Sequence, residues 1–226
     1  KILPYVFGSI SLLAIIGFFV VPLSIFAVLL VFLIGLGITG FFVKKINKLS
    51  SDTGRIQTTF HQYQKLILEI ETINFNSELL KEKKKAILNT GEKTSKVLHE
   101  FSRILGALDQ RNNILFGIFA NGFLLWDIYQ SYKIETWIVK HGSKVEKWFE
   151  TIAFLDAYNS LGNFTYNHPD YVFPTLSASQ SILKSEGAGH PLLHPEKSVL
   201  NDIHIAREQF FIITGANMAG KSTFLR

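Results

Sequence analysis

Three different patterns of apolar and polar positions follow one another along the chain. From Ile2 to Val43 there is no Asp, Glu, Lys or Arg. A single helix over that stretch would be about 63 Å long, roughly twice the hydrocarbon thickness of a bilayer. Two membrane spans of about twenty residues fit better, broken near Pro22 in "VVPLS". Lys1 precedes the first span, and Lys44, Lys45 and Lys48 follow the second. Basic residues at both ends predict a transmembrane hairpin over 1–45 whose ends face the cytoplasm. A signal peptide does not fit, since its apolar region would run only about 7–15 residues. The competing reading is a buried helical hairpin in a soluble core.

The second pattern is helical. Ile56, Phe60, Tyr63, Ile67 and Ile70 step by fours and threes, which predicts a helix packed against a neighbour. The run Glu82–Lys85 in "LLKEKKKAIL" reads as a solvated helix face. Val97, Phe101, Ile104, Leu105 and Leu108 resume the helical spacing. The apolar run from Ile114 to Trp126, interrupted by Asn121 and Gly122, is shorter than a membrane span and predicts a buried helix. "VEKWFETIAFLDAYNSLGNF", Val145–Phe164, predicts an amphipathic helix with Trp148, Ile152, Leu155 and Leu161 on one side. The prolines of "NHPDYVFPTL" end it. The third pattern begins near Leu176, where the period becomes extended in "SILKSE", "VLNDIHI" and "FFIIT". Domains are therefore expected at 1–45, 46–175 and 176–226.

Composition adds two points. The 226 residues include no Cys, which excludes disulfides, thiolate metal sites and cysteine nucleophiles. The net charge of +5 suits an anionic partner, nucleic acid or lipid headgroups, without choosing between them. Neither Lys1 nor Arg226 reads as a natural terminus, so a fragment of a longer protein is expected.

Candidate chemistry lies at the far end. Gly215, Ala216, Asn217, Met218, Ala219, Gly220, Lys221 and Ser222 satisfy G-x-x-x-x-G-K-[ST]. The apolar run Phe210–Ile213 leads into the loop, and Thr223 onward can open a helix. Glycines let backbone N–H groups close around phosphates, and the helix start points its positive end at the same anion. Lys221 would reach the β- and γ-phosphates of ATP, and the Ser222 hydroxyl would bind Mg²⁺.

The letters within the loop are more specific than the general motif. "TGANMAGKSTFLR" resembles the MutS family loop, T-G-P-N-M-G-G-K-S-T and then Arg, matching at Asn217, Met218, Lys221, Ser222, Thr223 and Arg226. "GHPLL" at Gly189–Leu193 is similar to the family's R-H-P segment, with Gly189 in place of Arg. "VLNDIHI" at Val199–Ile205 is similar to its V-P-N-D strand. "IAFLDAYNSLGNF" and "DYVFPTL" resemble its lever helix and the exit from it. The resemblance covers about Val145 to Arg226. It implies a mainly α core and lever followed by the first strands of an α/β P-loop ATPase domain. It also implies nucleotide contacts from the loop, His190, Val199 and Asn201, and an ATPase that works as a homodimer. An acidic Mg²⁺ strand is not in the chain, so hydrolysis by this stretch alone is not expected.

Departures accompany the match. Ser198 stands where relatives often carry an aromatic residue that stacks on adenine, and no Phe-x-Glu mismatch wedge is present. Without the resemblance, His168, His190 and His194 read as structural, and Asp202 as a cap. The implied protein is a MutS-like ATP switch tethered to a membrane. A DNA-clamping protein without mismatch specificity and an unrelated membrane P-loop NTPase remain as alternatives.

Overall fold

The computed structural model describes residues 2–21, 23–54, 56–88, 91–176, 181–207, 209–210 and 212–225. The break at Pro22, the flank at Lys1, Phe211 and the Arg226 match lie outside them. The chain divides into two compact units, Lys1–Asn167 and His168–Arg226. It is mainly α, with two antiparallel strands in its C-terminal part.

The first unit opens with α1 (Leu3–Val20) and α2 (Ile25–Thr53). Pro4 suits the first turn of α1, where its missing N–H costs no helical bond. Ser24 starts α2 as an N-cap, its Oγ accepting from the Phe26 N–H at 3.3 Å. Both helices are long and apolar enough to cross a membrane. They are not core helices: in α1 only Pro4, Phe7 and Ser11 are buried, and Phe19, Phe26 and Phe41 project outward. Within this chain, then, the hairpin is not a core element.

The core lies further along the chain, among α3 (Ile56–Thr72), α4 (Glu78–Ile87), α5 (Thr94–Asp109) and α7 (Trp126–Asn167). Phe60, Ile67 and Ile70 of the predicted seam are buried, and Ile56 and Tyr63 pack against them. The partner is α5, whose Val97, Phe101, Ile104, Leu105 and Leu108 are all buried. Phe101 stacks on Trp137 at 3.9 Å between ring centres, and Phe60 meets Phe101 and Phe149 edge-on. The Glu71 carboxylate of α3 accepts from the Ser95 N–H at 3.1 Å and its hydroxyl at 2.6 Å, satisfying an amide in the first turn of α5. Within the basic run, Lys84 donates to the Ile73 carbonyl at 2.6 Å and Lys83 lies over the Phe154 ring. Half of the expected solvated face is thus used inside the unit.

Two expectations are corrected. The segment predicted as a buried helix forms α6 (Ile114–Leu124), but only Ala120, Asn121 and Gly122 are buried in it. Ile114 and Leu115 are 73% and 71% exposed. The helix is covered only towards α1, α2 and the turns on either side of it. The predicted helix at Val145–Phe164 is part of the 42-residue α7. Trp148 and Ile152 are buried and Leu155 packs on the core, but Leu161 is exposed because α7 outruns its partners.

Between α6 and α7 the chain turns sharply at Leu125, held in the left-handed region at φ 50°. The turn is fixed from several sides. Asn121 donates to the Gly117 carbonyl at 2.9 Å and accepts from the Asp127 N–H at 2.9 Å. Trp126 Nε1 donates to the Ala107 carbonyl at 2.8 Å. The Arg111 guanidinium lies 3.0 Å from the buried Asp127 carboxylate. Burial pushes that carboxyl above the ordinary carboxylate range, and Arg111 and Asn121 pull it back only in part.

Candidate functional site

In the second unit β1 (Ser181–Ala188) pairs antiparallel with β2 (Asn201–Ala206), with Lys184 opposite His204 and Ser185 opposite Ile203. The register shifts between Ser185 and Ala188, where Gly187 takes φ +63°. A side chain there would be strained, which explains the glycine. The Asp202 carboxylate accepts from the Gly187 N–H at 2.8 Å. Asp202 therefore does not cap the segment after it, as the sequence suggested, but binds the irregular residue of the opposite strand.

The segment joining the strands holds the upstream candidates. His190 Nδ1 accepts from the Leu192 N–H at 3.2 Å, and its carbonyl accepts from the Leu193 N–H at 3.1 Å. Both bonds close a turn, which is the structural role read for a histidine before proline. A Cβ added to Gly189 would come within 2.7 Å of Leu200 and 2.9 Å of Ser198 Oγ. Both obstructing atoms are side-chain ends, so a larger residue there would have to displace Leu200 and Ser198. Val199 and Leu200 precede β2, and Asn201 Nδ2 donates to the Val199 carbonyl at 3.0 Å.

The phosphate-loop residues are described over their whole length. Ile212 and Ile213 are not in a strand, contrary to the extended "FFIIT" expectation. A strand needs a neighbour to take its backbone bonds, and no pairing reaches these residues among those described. The loop curls through Met218 at φ 66° and Gly220 at φ 80° into α8 (Lys221–Phe224). Lys221 Nζ turns back over the loop and donates to the Gly215 and Ala216 carbonyls at 2.5 and 2.6 Å. The ammonium therefore stands at the loop's entrance, with the backbone curled about it. Asn217, Met218, Ala219, Ser222 and Thr223 are exposed, and Lys221 is half-buried.

The residues present fit a phosphate: one ammonium, an exposed curl of backbone, and glycine where a left-handed turn is needed. For Mg²⁺ the loop offers the Ser222 hydroxyl, and no group of three His, Cys, Asp or Glu is assembled among the described residues. The structure thus forms separate local groups: the turn closed by His190 on Leu192 and Leu193, the start of β2 where Asn201 bonds Val199, and the loop Gly215–Thr223. The hydrogen bonds described do not join these groups to one another. The Arg111–Asp127 pair went unremarked in the sequence, and Asn121 reads there only as an interruption of the apolar run. The available signal was a lone acid directly after a long apolar run, with Arg just before it.

The chain is similar to several proteins called DNA mismatch repair protein MutS. That of Petrotoga mobilis is 30% identical over 149 residues, 64% of this chain and 16% of the relative. That of Borrelia hermsii is 39% identical over 97 residues, 39% of this chain and 11% of the relative. The Staphylococcus epidermidis protein is 28% identical over 160 residues, 68% and 17% of the two chains. The chain thus spans between 11% and 17% of these relatives' lengths. No protein-family model and no solved structure matches it. Curated homologues at 28–39% identity over part of the chain support its kinship with the MutS family.

Proposed function

We propose that this chain is the nucleotide-binding and membrane-tethering part of a MutS-related switch. The observation that carries the reading is the loop Gly215–Ser222 with the Lys221 ammonium held at its entrance, in a chain related to MutS proteins. In this reading the loop backbone and Lys221 bind the β- and γ-phosphates of ATP. Ser222 gives one oxygen to a Mg²⁺ whose other ligands come from the nucleotide and water. When bound, Mg²⁺ neutralises phosphate charge. Helices α1 and α2 anchor the assembly in a bilayer. The relatives' name brings duplex DNA as a partner, held here through backbone charge rather than by reading mispairs.

The test is a titration of Mg²⁺–ATP against the full-length protein in lipid nanodiscs, beside Lys221→Ala. Losing a charged hydrogen-bond partner worth about 1.5–3 kcal/mol weakens binding roughly tenfold to a hundredfold or more. Equal affinity in the two proteins would remove the phosphate-loop assignment.

A further inference from the structure

Helix α6 is apolar, exposed and too short to cross a bilayer. Its 11 residues make about 16 Å of helix, half of a hydrocarbon core of about 30 Å. It carries no charge from Ile114 to Trp126, and Ile114, Leu115, Ile118, Phe119 and Leu124 are exposed. Part of what it buries lies against the turn into α7, where Asn121 holds the Asp127 amide, and part against the apolar hairpin. A Cβ on Gly35 of α2 would meet the Gly122 carbonyl oxygen at 2.2 Å, so the two backbones touch directly. Phe32 lies between Phe119 and Phe123, and Leu124 lies against Gly8 of α1. The exposed side of α6 is therefore continuous with the exposed apolar surface of α1 and α2.

The surroundings of α6 match a lipid boundary. Trp126, Tyr129 and Tyr5 gather where α7 and α1 begin, with Tyr5 and Tyr129 ring centres 5.4 Å apart and Lys133 above the Tyr129 ring. Tyr and Trp beside a cation suit the headgroup level. A helix end in hydrocarbon must satisfy its own amides. Asn113 Oδ1 accepts from the Phe116 N–H at 3.2 Å, and its carbonyl accepts from Gly117 at 2.8 Å. The charge nearest to α6 along the chain on its N-terminal side, Arg111, folds onto Asp127 instead of facing outward.

From these contacts we infer that α6 is a third membrane element, a half-helix embedded in the acyl region of one leaflet beside the hairpin. The inference rests on the hairpin being a membrane anchor, and the test separates the two. This chain has no cysteine, and any cysteine elsewhere in the full-length protein is first changed to serine, so that single replacements can be labelled cleanly. Leu115→Cys and Ile118→Cys report on α6, Leu30→Cys on the hairpin, and Val139→Cys on the exposed face of α7. Each carries an environment-sensitive fluorophore in the full-length protein in phosphatidylcholine–phosphatidylglycerol vesicles. Quenching by spin-labelled acyl chains is compared with quenching by aqueous iodide.

The expected result is a loss of fluorescence to the lipid quencher at 115 and 118 as large as at 30, with iodide protection, and the reverse at 139. Iodide quenching at 115 and 118 with lipid quenching at 30 overturns the half-helix and leaves the anchor standing. Iodide quenching at 30 as well overturns both. Protection of 115 and 118 from both quenchers means that protein covers α6, a second copy included, and also overturns the inference.

Discussion

Replacing Gly35 by Ala asks whether α2 and α6 touch through their backbones. The added Cβ would stand 2.2 Å from the Gly122 carbonyl oxygen, 2.8 Å from its carbon and 2.9 Å from Phe7 Cε1. An unstrained carbon–oxygen contact is about 3.3 Å, so α6 must retreat by roughly 1 Å. Two of the three obstructing atoms are helix backbone and cannot swing aside. Overpacking of this kind costs about 1–3 kcal/mol, and a backbone obstacle belongs at the upper end. Against it stands the better helix propensity of Ala, about 1 kcal/mol. The net expectation is a loss of about 2 kcal/mol. Gly37 in the same helix provides the control, because a Cβ there meets nothing within 4 Å. Gly37→Ala should gain about 1 kcal/mol, leaving the two variants about 3 kcal/mol apart. Unfolding in mixed micelles of increasing sodium dodecyl sulfate, followed by tryptophan fluorescence, measures the difference. A Gly35→Ala protein as stable as Gly37→Ala would refute the close approach of α2 and α6.

Two further outcomes concern the helical unit. Arg111→Met leaves the Asp127 carboxylate buried without its cation and should cost about 3–5 kcal/mol; adding Asp127→Asn should restore most of it, and a double variant no better than the single one would deny that the pair acts as a pair. His141 is buried between Trp137 and Trp148. Its pKa is lowered, by burial first and then by Lys140 and Lys144 against Glu92 and Glu100. The native state therefore favours the neutral ring. Its contribution is complete above the ordinary histidine value of about 6.5 and is lost as pH falls through the lowered one. Asp127, with its raised pKa, acts in the opposite sense at lower pH, favouring the fold as it gains its proton. Denaturation midpoints at pH 7.5 and 5.5 should differ less in His141→Phe than in the parent, and an unchanged difference would exclude this group.

How far the sequence could be read depended on how local each signal was. The seams of α3 and α5 were legible because helical spacing alone decides which side chains share a face. Whether that face is covered is a tertiary question, and α6 shows the difference. Length excluded a full span and left burial as the expectation. Yet Asn121 and Gly122, which looked like interruptions, are residues that face protein, while Ile114 and Leu115 face outward. Leu161 repeats the lesson, since α7 keeps its period after the core has ended. In the second unit the order of loop residues was plain from their spacing. Whether His190, Val199 and Asn201 meet that loop depends on pairing between distant segments, which no local pattern encodes. The "FFIIT" run has strand composition, but composition cannot supply the neighbouring strand.

The side chain of Asn121 has a kinetic consequence. An amide in the first turn of a helix has no partner in its own ladder and ordinarily exchanges its hydrogen with water quickly. The Asp127 amide is such a group, yet its hydrogen lies on Asn121 Oδ1 inside a buried turn. It cannot exchange when only the end of α7 frays, because its acceptor belongs to α6. Release requires the whole joint to open, with Gly117, Asn121 and Asp127 parting together. The exchange of one backbone hydrogen thus clocks how often α7 comes free of the apolar helix that precedes it.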